Sequence, residues 1–241
     1  MWLDLLLIVV VALCAGVLSA VVGFGGAALL LPVLVAVFGV REAIPILAIA
    51  QLLGNGSRVV FNWREVAMPV VGWFTLGAVP LALIGSVIFV TTPLEALTRL
   101  LGAFLILLVA WRHFRPAPPR SFPVYRFALV GAVFSFLSSL LGTAGPISAP
   151  FFLAYGLVKG AYIGTEALAS AISHVFKLFV YGVATLLSGA NVSMGVAIGA
   201  VLTLGSFTGK RVVDRLPTRV FVLIVEVALV VAGFVFLLSP G

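Results

Sequence analysis

Charge is what this sequence has least of. Asp, Glu, Lys and Arg make up only 9% of its 241 residues, against roughly a quarter in a soluble domain. So few charges cannot cover an aqueous surface without leaving large apolar patches in water, which excludes a soluble domain. Cysteine is almost missing as well. Cys14 stands alone, so no intrachain disulfide can form and the redox compartment is not legible from it. There are two histidines, His113 and His174, and no Cys/His cluster to hold a metal. The sequence also lacks H-E-x-x-H, a P-loop and G-x-S-x-G, which argues against the common hydrolases and against ATP-driven transport by this chain alone. No cofactor and no metal are expected. The opening Met1-Trp2-Leu3-Asp4 has no positive n-region, so it does not read as a removable signal. Val11-Ala12-Leu13-Cys14 only loosely resembles a lipoprotein cleavage site, because Leu13 stands where a small residue is wanted.

What is present is apolar. Hydrophobic residues make up 63% of the chain and mean hydropathy is +1.32. In lipid the backbone must satisfy its own polar groups, inside helices or a closed barrel. The long apolar runs show no strict alternation, so helices are expected, in an all-α integral membrane fold. Apolar segments lie at 5–22, 27–39, 43–61, 66–90 and 94–111, then at 126–141, 145–157, 161–185, 192–209 and 218–238. A span needs about 20 residues, so 27–39 and 145–157 read as half-helices or parts of re-entrant hairpins. That gives about 8–10 membrane segments. The formal charge of +7 does not point to nucleic acid, because the basic residues sit at segment ends, where membrane topology accounts for them. Lipid is the expected surrounding.

The one distinctly polar stretch, Arg112 to Arg126, divides the chain. The expected organisation is a first membrane repeat over 1–111, a cytoplasmic basic and proline-rich linker over 112–126, and a second repeat over 127–241. Gly23-Phe24-Gly25-Gly26 aligns with Gly142-Thr143-Ala144-Gly145 at an offset of 142 − 23 = 119. The same offset carries Asn55 onto His174 and Arg58 onto Lys177. Further on, Gly85 aligns with Gly209 and Pro93 with Pro217, after a small insertion. Loop charge then orients the halves. Lys210, Arg211, Arg215 and Arg219 mark a cytoplasmic loop, and its first-half counterpart, about 86–98, has no Lys or Arg. Arg64 has the uncharged counterpart Ser188-Gly189-Ala190-Asn191. Corresponding loops therefore fall on opposite sides, the repeats are inverted, and both termini are non-cytoplasmic. An internal repeat of this kind is a transporter signature.

Polar residues within the apolar segments mark the candidate site. Glu166, Ser170, His174, Lys177 and Tyr181 recur at spacings that form one stripe on a helix. The first half has Gln51, Asn55, Arg58 and Asn62 in the same register. An ionisable residue deep in a membrane helix costs about 2.5–3.5 kcal/mol on insertion scales, so it normally faces a cavity or a partner. Arg58 and Lys177, brought together near the midplane by the repeat, would suit an anion with several oxygens. A Glu166–Lys177 pair that merely joins helices, and an Arg58 that snorkels to the interface, are the structural alternatives. The glycine turns precede short helices whose N-termini favour an anion, which brings in Gly23, Gly25, Gly26, Gly142, Thr143 and Gly145. Ser19, Ser138, Ser139 and Ser148 could add hydroxyls, although such groups often bond their own backbone. Glu166, His174 and Glu226 are the candidates for carrying a coupling proton. Gly195/Gly199 and Gly205/Gly209 are G-x-x-x-G pairs that read as helix packing.

Gly23-Phe-Gly-Gly-Ala-Ala-Leu-Leu-Leu-Pro32, its second copy Gly142-Thr-Ala-Gly-Pro-Ile-Ser-Ala-Pro150, and the later run of Gly205 to Gly209, basic residues and Leu216-Pro217 together resemble the sulfite exporter TauE/SafE family over nearly the whole chain. Phe24 interrupts the three-glycine turn in the first copy, and Thr143-Ala144 replace glycines in the second. The resemblance implies a secondary transporter in the bacterial inner membrane. It implies outward movement of small sulfur-containing anions such as sulfite, thiosulfate, sulfoacetate and other organosulfonates. It also implies that the two turns and the Asn55/Arg58 and His174/Lys177 pairs line the substrate site. A homodimer is compatible with the sequence. An anion channel or uniporter, an intramembrane enzyme using His174 and Glu166, and a scaffold subunit stay open as alternatives.

The inverted topology has a direct consequence. In a Cys14→Ser background, Ala117→Cys in the linker and Thr92→Cys in the uncharged loop should react with an impermeant maleimide from opposite faces of the membrane. Labelling of both from one face would overturn the inversion.

Overall fold

A computed structural model describes residues 2–23, 26–114 and 122–212, and positions 227, 230, 231, 233, 234 and 236–238 of the last segment. Among the described residues there is no strand. The helices are α1 (Trp2–Val22), α2 (Gly26–Phe38), α3 (Val40–Asn62), α4 (Met68–Thr91), α5 (Leu94–Phe114), α6 (Phe127–Leu141), α7 (Gly145–Ala154), α8 (Lys159–Val183) and α9 (Gly189–Val212). Seven of these are long and apolar enough to cross a membrane, by length and composition. The two short ones, α2 and α7 with 13 and 10 residues, reach only about 15–20 Å at 1.5 Å per residue, which is less than the hydrocarbon thickness of about 30 Å.

Segment ends differ from the sequence reading by a few residues. The expected loop at 86–98 is smaller than the hydropathy pattern indicated, because α4 continues to Thr91 and α5 starts at Leu94. Likewise α9 runs on to Val212, so Lys210 and Arg211 belong to its last turns. Arg215, Pro217, Arg219 and residues 115–121 lie outside the described residues.

The polar stripes explain the arrangement. The membrane windows of α3 and α8 are 61% and 50% buried, while those of the other five long helices are 28–44% buried. The helices that carry ionisable side chains in mid-span therefore take the centre, and helices whose charges sit toward their ends surround them. The outer faces present Trp2, Leu3, Val60 and Leu129, a surface that only lipid can solvate.

Packing repeats between the halves. α4 lies along α6 as α9 lies along α1, α3 contacts α9 as α8 contacts α4, and α3 and α8 cross each other. This exchange of partners is what a twofold relation between the halves requires. Glycine makes the long contacts close. A Cβ on Gly131 would meet the Phe74 carbonyl at 2.1 Å, and one on Gly16 would meet the Leu202 carbonyl at 2.3 Å. Such small-residue contacts, where backbone lies on backbone, are how membrane helices associate without a hydrophobic driving force between them. Gly195 and Gly199 face Ile49 and Leu53 of α3, and Gly205 faces Leu13 and Gly16 of α1.

Gly131→Val should therefore force α4 and α6 apart and destabilise the protein by about 1–3 kcal/mol, the usual cost of overpacking. Gly72→Ala, which meets nothing within 4 Å, should leave the protein unchanged or slightly more stable. Thermal unfolding in detergent measures both.

Candidate functional site

The site grows from two helix ends. α1 and α6 each stop at a glycine in the left-handed region, Gly23 with φ 80° and Gly142 with φ 81°. Their N–H groups donate to the Ser19 and Ser138 carbonyls, at 3.0 Å in both cases. Only glycine takes this conformation without strain. At Gly23 the Tyr162 ring lies where a Cβ would stand, a constraint with no signal in the sequence. A helix C-terminus leaves carbonyls unpaired and carries a partial negative charge, so a cation is stabilised there.

Each half supplies that cation from its third helix. Arg58 of α3 donates through Nη1 to the Gly23 carbonyl at 2.7 Å and the Ser19 carbonyl at 3.4 Å, and through Nη2 to Asn55 Oδ1. Lys177 of α8 donates from Nζ to the Ser138 carbonyl at 3.2 Å and is 2.8 Å from Ser138 Oγ. Tyr181, one turn further on, donates to the Ser139 carbonyl at 2.5 Å. Snorkelling of Arg58 to the interface is thus not what occurs, since the residue is 5% exposed. The pairing of Glu166 with Lys177, open at the sequence level, is not formed either. Glu166 Oε2 lies 3.4 Å from Arg58 Nη1, and Oε1 accepts a hydrogen bond from Ser170 at 2.9 Å. These helices come from opposite halves of the chain, a juxtaposition that register within one helix cannot reveal.

Between the two helix ends lies a cavity of about 30 Å³, far below the roughly 300–1,000 Å³ of sites for drug-sized ligands. The first half lines it with Ser19, Gly23, Gly26, Ala27, Gln51, Asn55 and Arg58. The second half adds Phe134, Ser138, Gly142, Thr143, Ala144, Gly145, Glu166, Ser170 and His174. Most of the residues singled out by sequence therefore surround one space. Lys177 does not line it but stands behind Ser138. Gly25 and Glu226 lie outside the described residues. Ala27, Phe134 and Ala144 carried no polar signal and were not singled out. The N–H donors expected at the start of α7 are reduced by Pro146 in its first turn, which has no N–H to offer. Two buried groups at the cavity, Nε2 of Gln51 and Nδ1 of His174, have no hydrogen-bond partner within the described protein. Buried polar atoms rarely go without one, so these suit a polar ligand.

Arg41, which the sequence reading passed over, repeats the theme elsewhere. Its guanidinium donates to the carbonyls of Val90 at 2.5 Å and Thr92 at 2.7 Å, closing the C-terminus of α4. Among the described residues no three His, Cys, Asp or Glu side chains come together in a way that could hold a metal.

With that geometry in view, comparison with known proteins is informative. The family model described as Sulfite exporter TauE/SafE matches residues 8–236. The chain belongs to the sulfite exporter TauE/SafE family. Neither a curated protein nor a solved structure matches it. Membership makes the protein a multi-pass membrane transporter of sulfur anions such as sulfite and not an enzyme.

The hydrogen bonds make a prediction about neighbouring serines. Ser138→Ala removes a hydroxyl from the buried Lys177 ammonium and should cost about 1.5–3 kcal/mol, as for a hydrogen bond to a charged group. Ser139 Oγ is buried with no partner, so Ser139→Ala should be neutral or stabilising. Thermal unfolding of the two variants beside the parent checks the contrast.

Proposed function

We propose that this transporter carries small sulfur oxyanions or organosulfonates, sulfite, thiosulfate and sulfoacetate among them, outward across the bacterial inner membrane by alternating access. The two halves, inverted relative to each other with both termini outside the cytoplasm, would rock about a substrate held between the ends of α1 and α6. Arg58 is the principal anion-holding residue. Gln51, Asn55, His174, Ser170 and the turn residues Gly23, Gly26, Gly142, Thr143 and Gly145 complete the cage, and Lys177 contributes its charge from behind Ser138. The observation that carries the reading is Arg58 beside Gln51 and His174. A fixed cation and two buried nitrogens without protein partners converge on a cavity sized for a few heavy atoms.

The size of the site favours a compact anion, and planar guanidinium geometry favours one with two or more oxygens. The burial of the site favours an anion that can be fully stripped of water, because each donor there is stronger in the low local dielectric.

The test is binding followed by flux. In detergent, the matching sulfur anion at about a hundred times its Kd should add roughly 2.7 kcal/mol of stability, while chloride at equal ionic strength should add nothing. Arg58→Gln should weaken binding about 10- to 100-fold, the loss expected from a charged hydrogen-bond donor. Lys177→Gln should weaken it less. In reconstituted vesicles, labelled sulfite or sulfoacetate should accumulate against its gradient, which a channel cannot do. Stabilisation by chloride equal to that by any sulfur anion would sink the substrate assignment.

A further inference from the structure

Charge around the cavity does not cancel evenly. The described Arg, Lys, Asp and Glu side chains next to it are Arg58, Glu166 and, one hydrogen bond away, Lys177. Arg58 and Glu166 form an ion pair. Among the described residues Lys177 donates to a carbonyl and a hydroxyl. Counted formally, with Arg58 and Lys177 as cations, Glu166 as an anion and His174 neutral, the cluster holds one positive charge in excess, deep among membrane helices, where uncompensated charge is expensive. The first half has no carboxylate at the position of Glu166. Its equivalent at the repeat offset is Leu47 (166 − 119 = 47). The carboxylate is thus a feature of this one site and not of both halves.

Glu166 and the Ser19 carbonyl are the two more distant partners of Arg58. The Glu166 oxygen lies at 3.4 Å, whereas the Gly23 carbonyl lies at 2.7 Å, and Ser170 supplies the other Glu166 oxygen with a separate anchor. An anion entering the cavity competes with Glu166 for the same guanidinium face. We propose that Glu166 is a built-in counter-anion which sets the charge the site accepts: a monoanion binds with Glu166 ionised, and a dianion binds only with a proton taken up from solvent on the Glu166 carboxylate. In both cases the occupied cluster is neutral. This rests on the anion site proposed above and deepens it, since it makes the substrate's charge, and not only its sulfur chemistry, the basis of selection and of proton coupling.

Other groups that could take the proton are few. Glu166 faces Arg58 from α3, and Lys159, Tyr162, His174, Lys177 and Tyr181 share its own helix, of which the two tyrosines already hold their protons near neutral pH. The other titratable residues of α3, Arg41 and Glu42, are at its far N-terminal end. α4, α6 and α7, which pack on α8, have no titratable side chain. In the turn before α4, Glu65 sits against Gly160 and Arg64 precedes it.

Sulfate and methanesulfonate separate the possibilities, because each keeps a fixed charge near neutral pH. Titration calorimetry in buffers of different ionisation enthalpy counts the protons taken up with each anion. Sulfate should bring about one proton more than methanesulfonate, and its affinity should rise about tenfold per pH unit of acidification. In Glu166→Gln, sulfate should bind with no accompanying proton and with higher affinity at pH 7.5 than in the parent. Equal proton counts for the two anions on the unaltered protein would overturn the proposal, even where Glu166→Gln does not fold. Proton uptake that survives in Glu166→Gln would also overturn it, by moving the proton to the His174 imidazole or the Lys177 amine, while leaving the anion site standing. Binding of neither anion to either protein would bring down the anion site and this proposal together.

Discussion

Lipid offers no hydrogen bonds, so every ionised group taken into this protein must find its partners within the protein. The rest of the architecture follows from how three cations meet that demand. Arg58, Lys177 and Arg41 each place their donors on the carbonyls at a helix C-terminus. Carbonyls there are left unpaired by the helix or, at Ser19 and Ser138, are met only by the N–H of the terminating glycine, and they lie at the negative end of its dipole. One contact resolves two deficits. It also fixes geometry, because a helix that must present a cation to another helix's end is drawn to the centre of the bundle. α3 and α8 are there for that reason, with α1 and α6 ending against them.

The same contacts shape the cavity proposed to hold the anion. Ending α1 and α6 at left-handed glycines lets the chain reverse without a side chain in the way, and α2 and α7 start only a few residues later. The space left between the two reversals is what Arg58, Gln51, Asn55, Ser170 and His174 line. Because the donors of Arg58 are already directed at Gly23, Ser19 and Asn55, its orientation is set before any solute arrives. Preorganised donors of this kind bind without further ordering, which is where affinity for a small ligand is otherwise lost. The two halves use the device with different chemistry. Arginine has the amide of Asn55 beside it, and lysine has the imidazole of His174 nearby, so the cavity has a strongly charged side and a side of softer donors.

Most of the helices were legible because hydropathy in a membrane chain is a strong signal, and the repeat was legible because glycine, proline and intramembrane charge are rare enough for their spacing to be noticed. The stripes Gln51–Asn55–Arg58 and Ser170–His174–Lys177 followed from helical period alone. The partner of Glu166 did not. On α8 itself the cations are Lys159, about two turns before Glu166, and Lys177, about three turns after it, whereas Arg58 reaches Glu166 from a different helix and the other half of the chain. The retreat of Lys177 behind Ser138 was hidden for a similar reason. A stripe shows which face a side chain shares, and not whether a hydroxyl on a neighbouring helix intercepts it. Arg41 was overlooked because a cation close to a segment end looks like an ordinary interface residue.

Composition and periodicity by themselves determined that this chain lives in lipid as helices, and which buried polar residues needed an explanation. Those features depend on transfer free energy and on spacing along one chain, and both are local properties of a sequence. Tertiary structure alone decided which charge meets which: Glu166 with Arg58, Lys177 with Ser138, and Gln51 Nε2 and His174 Nδ1 with no partner among the described residues. Such pairings depend on distances between helices, which are set by how closely Gly16, Gly77, Gly131 and Gly205 let backbones approach, and a linear pattern holds no record of that approach until the helices are packed.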